Sequence, residues 1–331
     1  MKKIFLFTLI VYFISVDLFA QIVFTGYDRL RESVTAFYLN LENEQLTELS
    51  YANSYLPRWL NENYIVLNIG NSIFKVDKFR DKQSFLFEGF MPVVSRSGKY
   101  IAAYSQKGII VADSTGKILS ILEVDYWSKA TPIFSYDEKS IFYYDKNREA
   151  TFKFDWENQT NKLFAHNVIH PLSSPDGKKI LINSGKMNTN FRVGIVSSDW
   201  KENEPINYIT SAYENSIVPI WSPSGRYIAY MTLLTNKKLE NSDLIPANII
   251  LYDTRNGSKQ IITDDAGFTE GAFPQFSFSQ DEKYLFYTSI RENGTGTIVQ
   301  FNLTDFSKKI LIADPDLDAR IPLYLNVTST K

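Results

Sequence analysis

A Pro followed three residues later by a Ser recurs along this chain. It opens PVVSRSGKYI at Pro92, PIFSYDEKSI at Pro132, PLSSPDGKKI at Pro171 and PIWSPSGRYI at Pro219. A fifth copy, FSFSQDEKYL, starts at Phe276 with its Pro displaced to Pro274. A degraded copy, PRWLNENYIV, starts at Pro57 with Leu60 in place of the Ser. The anchors Leu60, Ser95, Ser135, Ser174, Ser222 and Ser279 lie 35 to 57 residues apart. A unit of this size cannot bury its own apolar face, so neighbouring units must stack.

Each copy reads as four strands. The apolar residues before the Ser make the first. A turn follows, Ser174-Pro175-Asp176-Gly177 or Ser222-Pro223-Ser224-Gly225, in which Pro fixes one dihedral, Asp or Ser bonds the local backbone and Gly takes a positive φ. Second strands fall at Tyr100 to Tyr104, Ile141 to Tyr144, Ile180 to Asn183, Ile228 to Met231 and Leu285 to Thr288. Third strands end in an acid or amide, as at Ile73 to Asp77 and Ile249 to Asp253. Short fourth strands follow at Phe85 to Phe87, Ile118 to Leu122, Ile206 to Ile209, Gln260 to Thr263 and Ile310 to Ile312. The period and the four-strand unit are those of a β-propeller blade. Aromatics at 15%, with 20 Tyr and 24 Phe, suit such pleated surfaces.

The chain ends complement each other. Ile22 to Thr25, Ala36 to Asn40 and Leu46 to Leu49 read as second, third and fourth strands with no first strand before them. Ile321-Pro322-Leu323-Tyr324-Leu325 reads as a first strand after which the blade stops. The expectation is an all-β fold: a single propeller of seven four-stranded antiparallel blades, one shared between the two ends. A six-bladed ring with loose terminal segments is the alternative.

Ser174 to Ile180 and Ser222 to Ile228 resemble the repeat of TolB-type, WD-like β-propellers. The same unit occurs in the propeller parts of prolyl oligopeptidases and in oligogalacturonate lyases. The resemblance spans nearly the whole chain after residue 20. It implies the fold and leaves function open, because one propeller scaffold hosts many activities. TolB carries a small N-terminal α/β domain, for which this chain has no room between Gln21 and its first blade strands.

Lys2 and Lys3, the apolar run Ile4 to Ile14 and the small residue Ala20 form the pattern of a secretory leader. Residues 1–20 are therefore expected to be a signal peptide, and residues 21–331 an exported propeller, periplasmic or secreted, without stable membrane insertion. With no Cys, disulfides, thiolate metal sites and Cys nucleophiles are excluded. A net charge of -2 gives no footprint for nucleic acid.

Catalytic signatures are sparse. No Gly-x-Ser-x-Gly elbow is present, and the recurring Ser reads as a turn residue. Oligogalacturonate lyases use several His plus a Gln at their metal, whereas this chain has only His166 and His170, with Gln275 as a further donor. Asp314-Pro315-Asp316-Leu317-Asp318 alternates carboxylates as calcium loops do, but has no Gly at the sixth position and Leu325 rather than Glu at the twelfth. No catalytic residue, cofactor or metal is assigned.

The loops entering the first strands differ in length and carry anchor-type residues. They place Tyr55, Arg58, Phe90, Trp127, Lys129, His166, His170, Glu214, Glu270 and Arg320 at one mouth of the central channel. The expected role is a monomeric, non-enzymatic binding or scaffold module for a protein or peptide partner in the cell envelope. Tyr55, Arg58, Trp127 and Arg320 suggest a peptide end or carboxylated sugar as ligand. The alternative is a carbohydrate-active, lyase-like, metal-assisted propeller.

Overall fold

The computed structural model describes residues 20–49, 53–78, 82–125, 130–186, 189–237, 239, 241–271 and 273–325. The described residues form seven four-stranded antiparallel units, here blades 1 to 7, with strands numbered first to fourth from the axis outward. Blade 1 is the shared one: its first strand, Leu317–Tyr324, pairs with Gln21–Asp28, which continues through Ser33–Asn40 to Leu46–Glu48. Ile22 pairs with Tyr324 and Asp28 with Leu317, so the last strand of the chain zips along the first. The first strands of blades 2 to 7 begin at Ser54, Phe90, Ile133, Val168, Ser216 and Ser277. The fourth strand of blade 6, Lys259–Phe268, reaches across to pair Ala266 with Ser289 of blade 7, merging those two sheets.

The core lies between blades, where apolar residues of facing sheets interlock. One cluster packs Phe24 and Phe37 of blade 1 against Phe286 and Ile298 of blade 7. Another packs Ile22's neighbour Val23 against Ile65 and Leu67 of blade 2. First strands face the axis. From blade 2, Arg58 Nη2 donates to the Phe273 carbonyl of blade 7 at 3.0 Å. Fourth strands form the rim and expose large residues such as Phe85, Ile261 and Ile310.

The recurring Ser closes the turn between first and second strands. Ser95, Ser135, Ser174, Ser222 and Ser279 are buried, and each Oγ accepts the N–H five residues on, at 2.9–3.1 Å. Within these turns Gly98, Gly177 and Gly225 have φ of 70°, 72° and 76°. Glu138 and Glu282 hold the same position at φ 59° and 58°, where an L side chain is strained. Both carboxylates do compensating work. Glu138 accepts the Ser97 N–H and Oγ–H at 2.6 Å, and Glu282 accepts the Ser224 N–H at 2.5 Å. Arg96 Nη1 donates to the Pro175 carbonyl at 2.7 Å. The turn face is thus stitched from blade to blade, and its conserved geometry serves closure of the ring.

The recurring Pro has a different meaning. In blades 2, 3, 5, 6 and 1 the residue before it, Leu56, Met91, His170, Val218 or Ile321, sits at φ 47–61°. The ladder between first and second strands slips there, as between Tyr55 and Arg58 or Ile169 and Leu172. Each is a β-bulge. Four bulges are held by the preceding blade. The N–H groups of Leu56, Met91, Val218 and Ile321 donate to Thr25 Oγ1, Asn68 Oδ1, Asn183 Oδ1 and Thr288 Oγ1 at 2.8–3.0 Å. The two Asn side chains also donate, to the Gly89 and Ser216 carbonyls at 3.0 and 2.9 Å. Asn183→Ala is therefore expected to leave a buried N–H and a buried C=O unpaired. The expected cost is about 2–4 kcal/mol, read as a lower urea midpoint at unchanged slope. An effect under about 0.5 kcal/mol would mean that the clasp adds nothing to blade docking.

Candidate functional site

At the mouth where the fourth strands hand over to the first strands lies a cleft of about 960 Å³. Three bulge residues, Leu56, Met91 and Ile321, form part of its lining, so the distorted ladder supplies an apolar floor. Tyr27, Tyr55 and Phe90 add aromatic walls. The Tyr55 hydroxyl donates to the Gly70 carbonyl at 3.2 Å. Among the described residues, Glu270, Asp243, Asp318 and Arg320 are the charged members of the lining.

Four of the five N–H donors of the Arg320 guanidinium are engaged by two carboxylates. Arg320 Nε and Nη2 donate to the two oxygens of Asp318 at 2.9 and 2.6 Å. Nη1 and Nη2 donate to the two oxygens of Asp243 at 2.8 and 2.7 Å. Asp318 also accepts the Gly296 N–H at 2.8 Å. The partners raise the Arg320 pKa despite the opposing effect of burial. The Arg320 hydrogen bond holds the Asp243 carboxyl below its ordinary value. Asp243 belongs to the long loop after the second strand of blade 6. Beside it, Ser242 Oγ donates to the Gly294 carbonyl of blade 7 at 2.5 Å. The loop thus passes over blade 7 and ends on blade 1.

Of the residues placed on the entering loops, Tyr55, Phe90, Glu270 and Arg320 line this cleft. Three other expectations are corrected. Arg58 is not at the mouth. It is only 6% exposed, donates to the Pro57 and Phe273 carbonyls at 3.2 and 3.0 Å, and its desolvated guanidinium is pushed down to about 10. His166 is not on an entering loop. It ends the fourth strand of blade 4, Thr160–His166, and its Nδ1 lies 2.9 Å from Glu202 Oε1 on the rim. His170 is buried at the axis, stacked on Phe273 with ring centroids 4.8 Å apart. Burial lowers its pKa to about 4. Glu214 is exposed and lies outside the cleft lining. Trp127 and Lys129 fall outside the described residues.

The two histidines thus occupy different blades and different depths. Among the described residues no three His, Asp or Glu side chains converge in a metal-holding group. Asp314 and Asp316 form a local turn, the Asp316 N–H donating to Asp314 Oδ1 at 2.9 Å, while Asp318 is committed to Arg320. A carboxylated ligand on Arg320 is likewise disfavoured, because Asp243 and Asp318 already take four of its five N–H donors. Tyr27, Asp243 and Asp318 were not foreseen as site residues. The signal available for Leu56, Met91 and Ile321 was their place before the recurring Pro.

No protein-family model matches the chain, and no curated protein matches it in sequence. Solved structures do resemble it. TolB from Acinetobacter baumannii superposes with a TM-score of 0.57 at 14% identity, covering 92% of this chain and 66% of that one. A Mycobacterium tuberculosis puromycin-hydrolysing peptidase gives 0.63 at 12% identity, over 88% of this chain and 52% of that one. The β-propeller domain of the Trilobed protease from Pyrococcus furiosus gives 0.62 at 12% identity, over 90% and 93%. The chain spans just under two thirds of the first of these proteins and about half of the second. Its fold is that of a TolB-like β-propeller.

Proposed function

We propose that this TolB-like propeller is an exported, non-enzymatic binding module that holds a segment of a partner protein in the mouth cleft. The observation that carries the reading is the make-up of the cleft. Among the described residues, its floor is a set of strained apolar bulges, its walls are aromatic, and the Arg320 guanidinium is engaged in internal ion pairs. Strained backbone gathers where the surrounding fold over-determines it, and ligand clamps are one such place. Aromatic side chains on a rigid frame are typical interface anchors. A volume near 960 Å³ stands at the upper end of the roughly 300–1,000 Å³ usual for ligand pockets. Export rests on the Lys-apolar-Ala pattern of residues 1–20, of which residues 1–19 lie outside the described part. Among the described residues no helix is long and apolar enough to cross a membrane.

The test uses single replacements on both faces. With a cross-linked and identified envelope partner in titration, Tyr27→Ala and Tyr55→Ala are each expected to weaken binding by at least about 5-fold, the effect of a hot-spot anchor. Arg96→Ala, on the turn face, is expected to leave affinity unchanged. The reverse ranking would move the binding surface to the turn face.

A further inference from the structure

We propose that a small anion, of halide or formate size, binds in the central channel as the counter-ion of Arg58, held by the Arg58 Nε–H, the Thr131 hydroxyl and one ring N–H of His170. Arg58 is 6% exposed. Its Nη1 and Nη2 donate to the Pro57 and Phe273 carbonyls at 3.2 and 3.0 Å, and its buried Nε has no acceptor. Among the described residues no carboxylate pairs with this guanidinium. A buried cation without an opposite charge is unfavourable, and two carbonyls bring only partial charge.

Two more buried groups without partners belong to the same region. His170, 7% exposed, stacks on Phe273, and neither ring nitrogen is hydrogen-bonded. Arg58 is on blade 2, His170 on blade 5 and Phe273 on blade 7. No two of these blades are neighbours, so both contacts with Phe273 cross the central channel. Thr131 is 4% exposed, and its Oγ1 is unpartnered. It precedes Pro132 in blade 4 as His170 precedes Pro171 in blade 5. Ala130 packs in one cluster with Ile169, and Ile133 packs in another with Phe273. Those contacts hold Thr131 between the neighbourhoods of His170 and Phe273.

All three groups can donate. A guanidinium only donates, a hydroxyl donates or accepts, and a neutral imidazole offers one N–H. A water would satisfy these donors and leave the charge of Arg58 unbalanced. A metal cation would meet that guanidinium, and among the described residues no three His, Asp or Glu side chains gather to hold one. A small anion meets both needs, the hydrogen bonds and the charge. Leu56 and Gly271, two residues along the chain from Arg58 and Phe273 respectively, line the mouth cleft, so an ion has a way in from that face.

The experiment follows thermal unfolding of the whole chain at pH 7, where His170 is neutral, in sodium bromide, formate or gluconate at equal concentration. Gluconate is too bulky to be buried there and controls for ionic strength. Between zero and about 0.2 M, bromide and formate are expected to raise the melting temperature at least about 3 °C more than gluconate does, as ligands of the folded state. Arg58→Leu is expected to abolish that difference. Thr131→Val keeps the shape and the cation, and should weaken the apparent affinity for formate by about 5-fold. Crystals soaked in bromide should show an anomalous peak within hydrogen-bond distance of Arg58 Nε, a result read on the natural chain and independent of how the variants fold. Equal shifts in all three salts, or shifts that persist in Arg58→Leu, would overturn the proposal. So would bromide at surface positions alone, an adventitious ion only, or ordered water beside Arg58 Nε with no bromide.

Discussion

A chain ending at Asp316 is expected to yield no folded monomer. The deletion of residues 317–331 removes the first strand of blade 1, whose Ile321, Leu323 and Tyr324 are buried. It also removes the partner of Gln21–Asp28 and leaves that strand as a long apolar edge, which invites association. Blade 7 and blade 2 lose their neighbour at the same time. Ser277 Oγ donates to the Pro322 carbonyl at 3.0 Å and accepts the Tyr324 N–H at 2.8 Å. From blade 2, Trp59 Nε1 donates to the Leu323 carbonyl at 3.0 Å. Burying side chains of this size contributes about 1.5–3 kcal/mol each, so the loss exceeds much of a typical total of about 5–15 kcal/mol. A graded variant keeps the claim measurable. Tyr324 stacks on Phe286 at 5.3 Å between centroids, and Tyr324→Ala is expected to cost about 3–5 kcal/mol. Size-exclusion chromatography and thermal unfolding read both. A truncated chain that stays monomeric with an unchanged melting temperature would show that the ring closes without this strand.

The same closure shows what a sequence can and cannot disclose. The shared blade was legible because strand ends are marked by turn chemistry and by alternation, both local. The Ser of the repeat was legible as a turn residue for the same reason, since its five-residue bond spans only its own turn. The site was less legible. His166 was expected at the mouth because the stretch carrying it reads as a loop entering a strand, whereas the chain there is the rim strand Thr160–His166. Its ladder with Ala150–Asp155 is fixed by backbone pairing instead. Arg58 was expected to be exposed, as Arg usually is, yet the bulge at Leu56 and the ring's curvature carry it inward to Phe273. Asp243 could not be foreseen beside Arg320, because 77 residues and an intervening blade separate them. The Arg58 and Asp243 misses concern contacts between distant blades, where side-chain placement depends on closure rather than on local pattern.

Between pH 7 and pH 5 the chain is expected to lose about 2 kcal/mol of stability through His170. The cause is its position at the axis. It occupies the bulge site that other blades fill with Leu56, Met91, Val218 and Ile321, it is 7% exposed, and neither ring nitrogen has a hydrogen-bond partner. Its ring is stacked on Phe273. Burial pushes the folded-state value from 6.5 to about 4. The unfolded chain therefore binds a proton at higher pH than the folded one. Stability is fully present above about pH 6.5, declines as the pH falls through the unfolded value, and levels only near the folded value of about 4. The depressed aspartates, such as Asp243, act in a lower window, beginning near their ordinary 3.8. His170→Met supplies the control, because Met91 already fills the equivalent bulge at φ 56°. Urea unfolding at pH 7 and pH 5 is expected to show the full loss in the natural chain and little of it in the variant, which gains its advantage at pH 5. An equal loss in both proteins would place the titrating group elsewhere and would require His170 to be hydrated or hydrogen-bonded in solution.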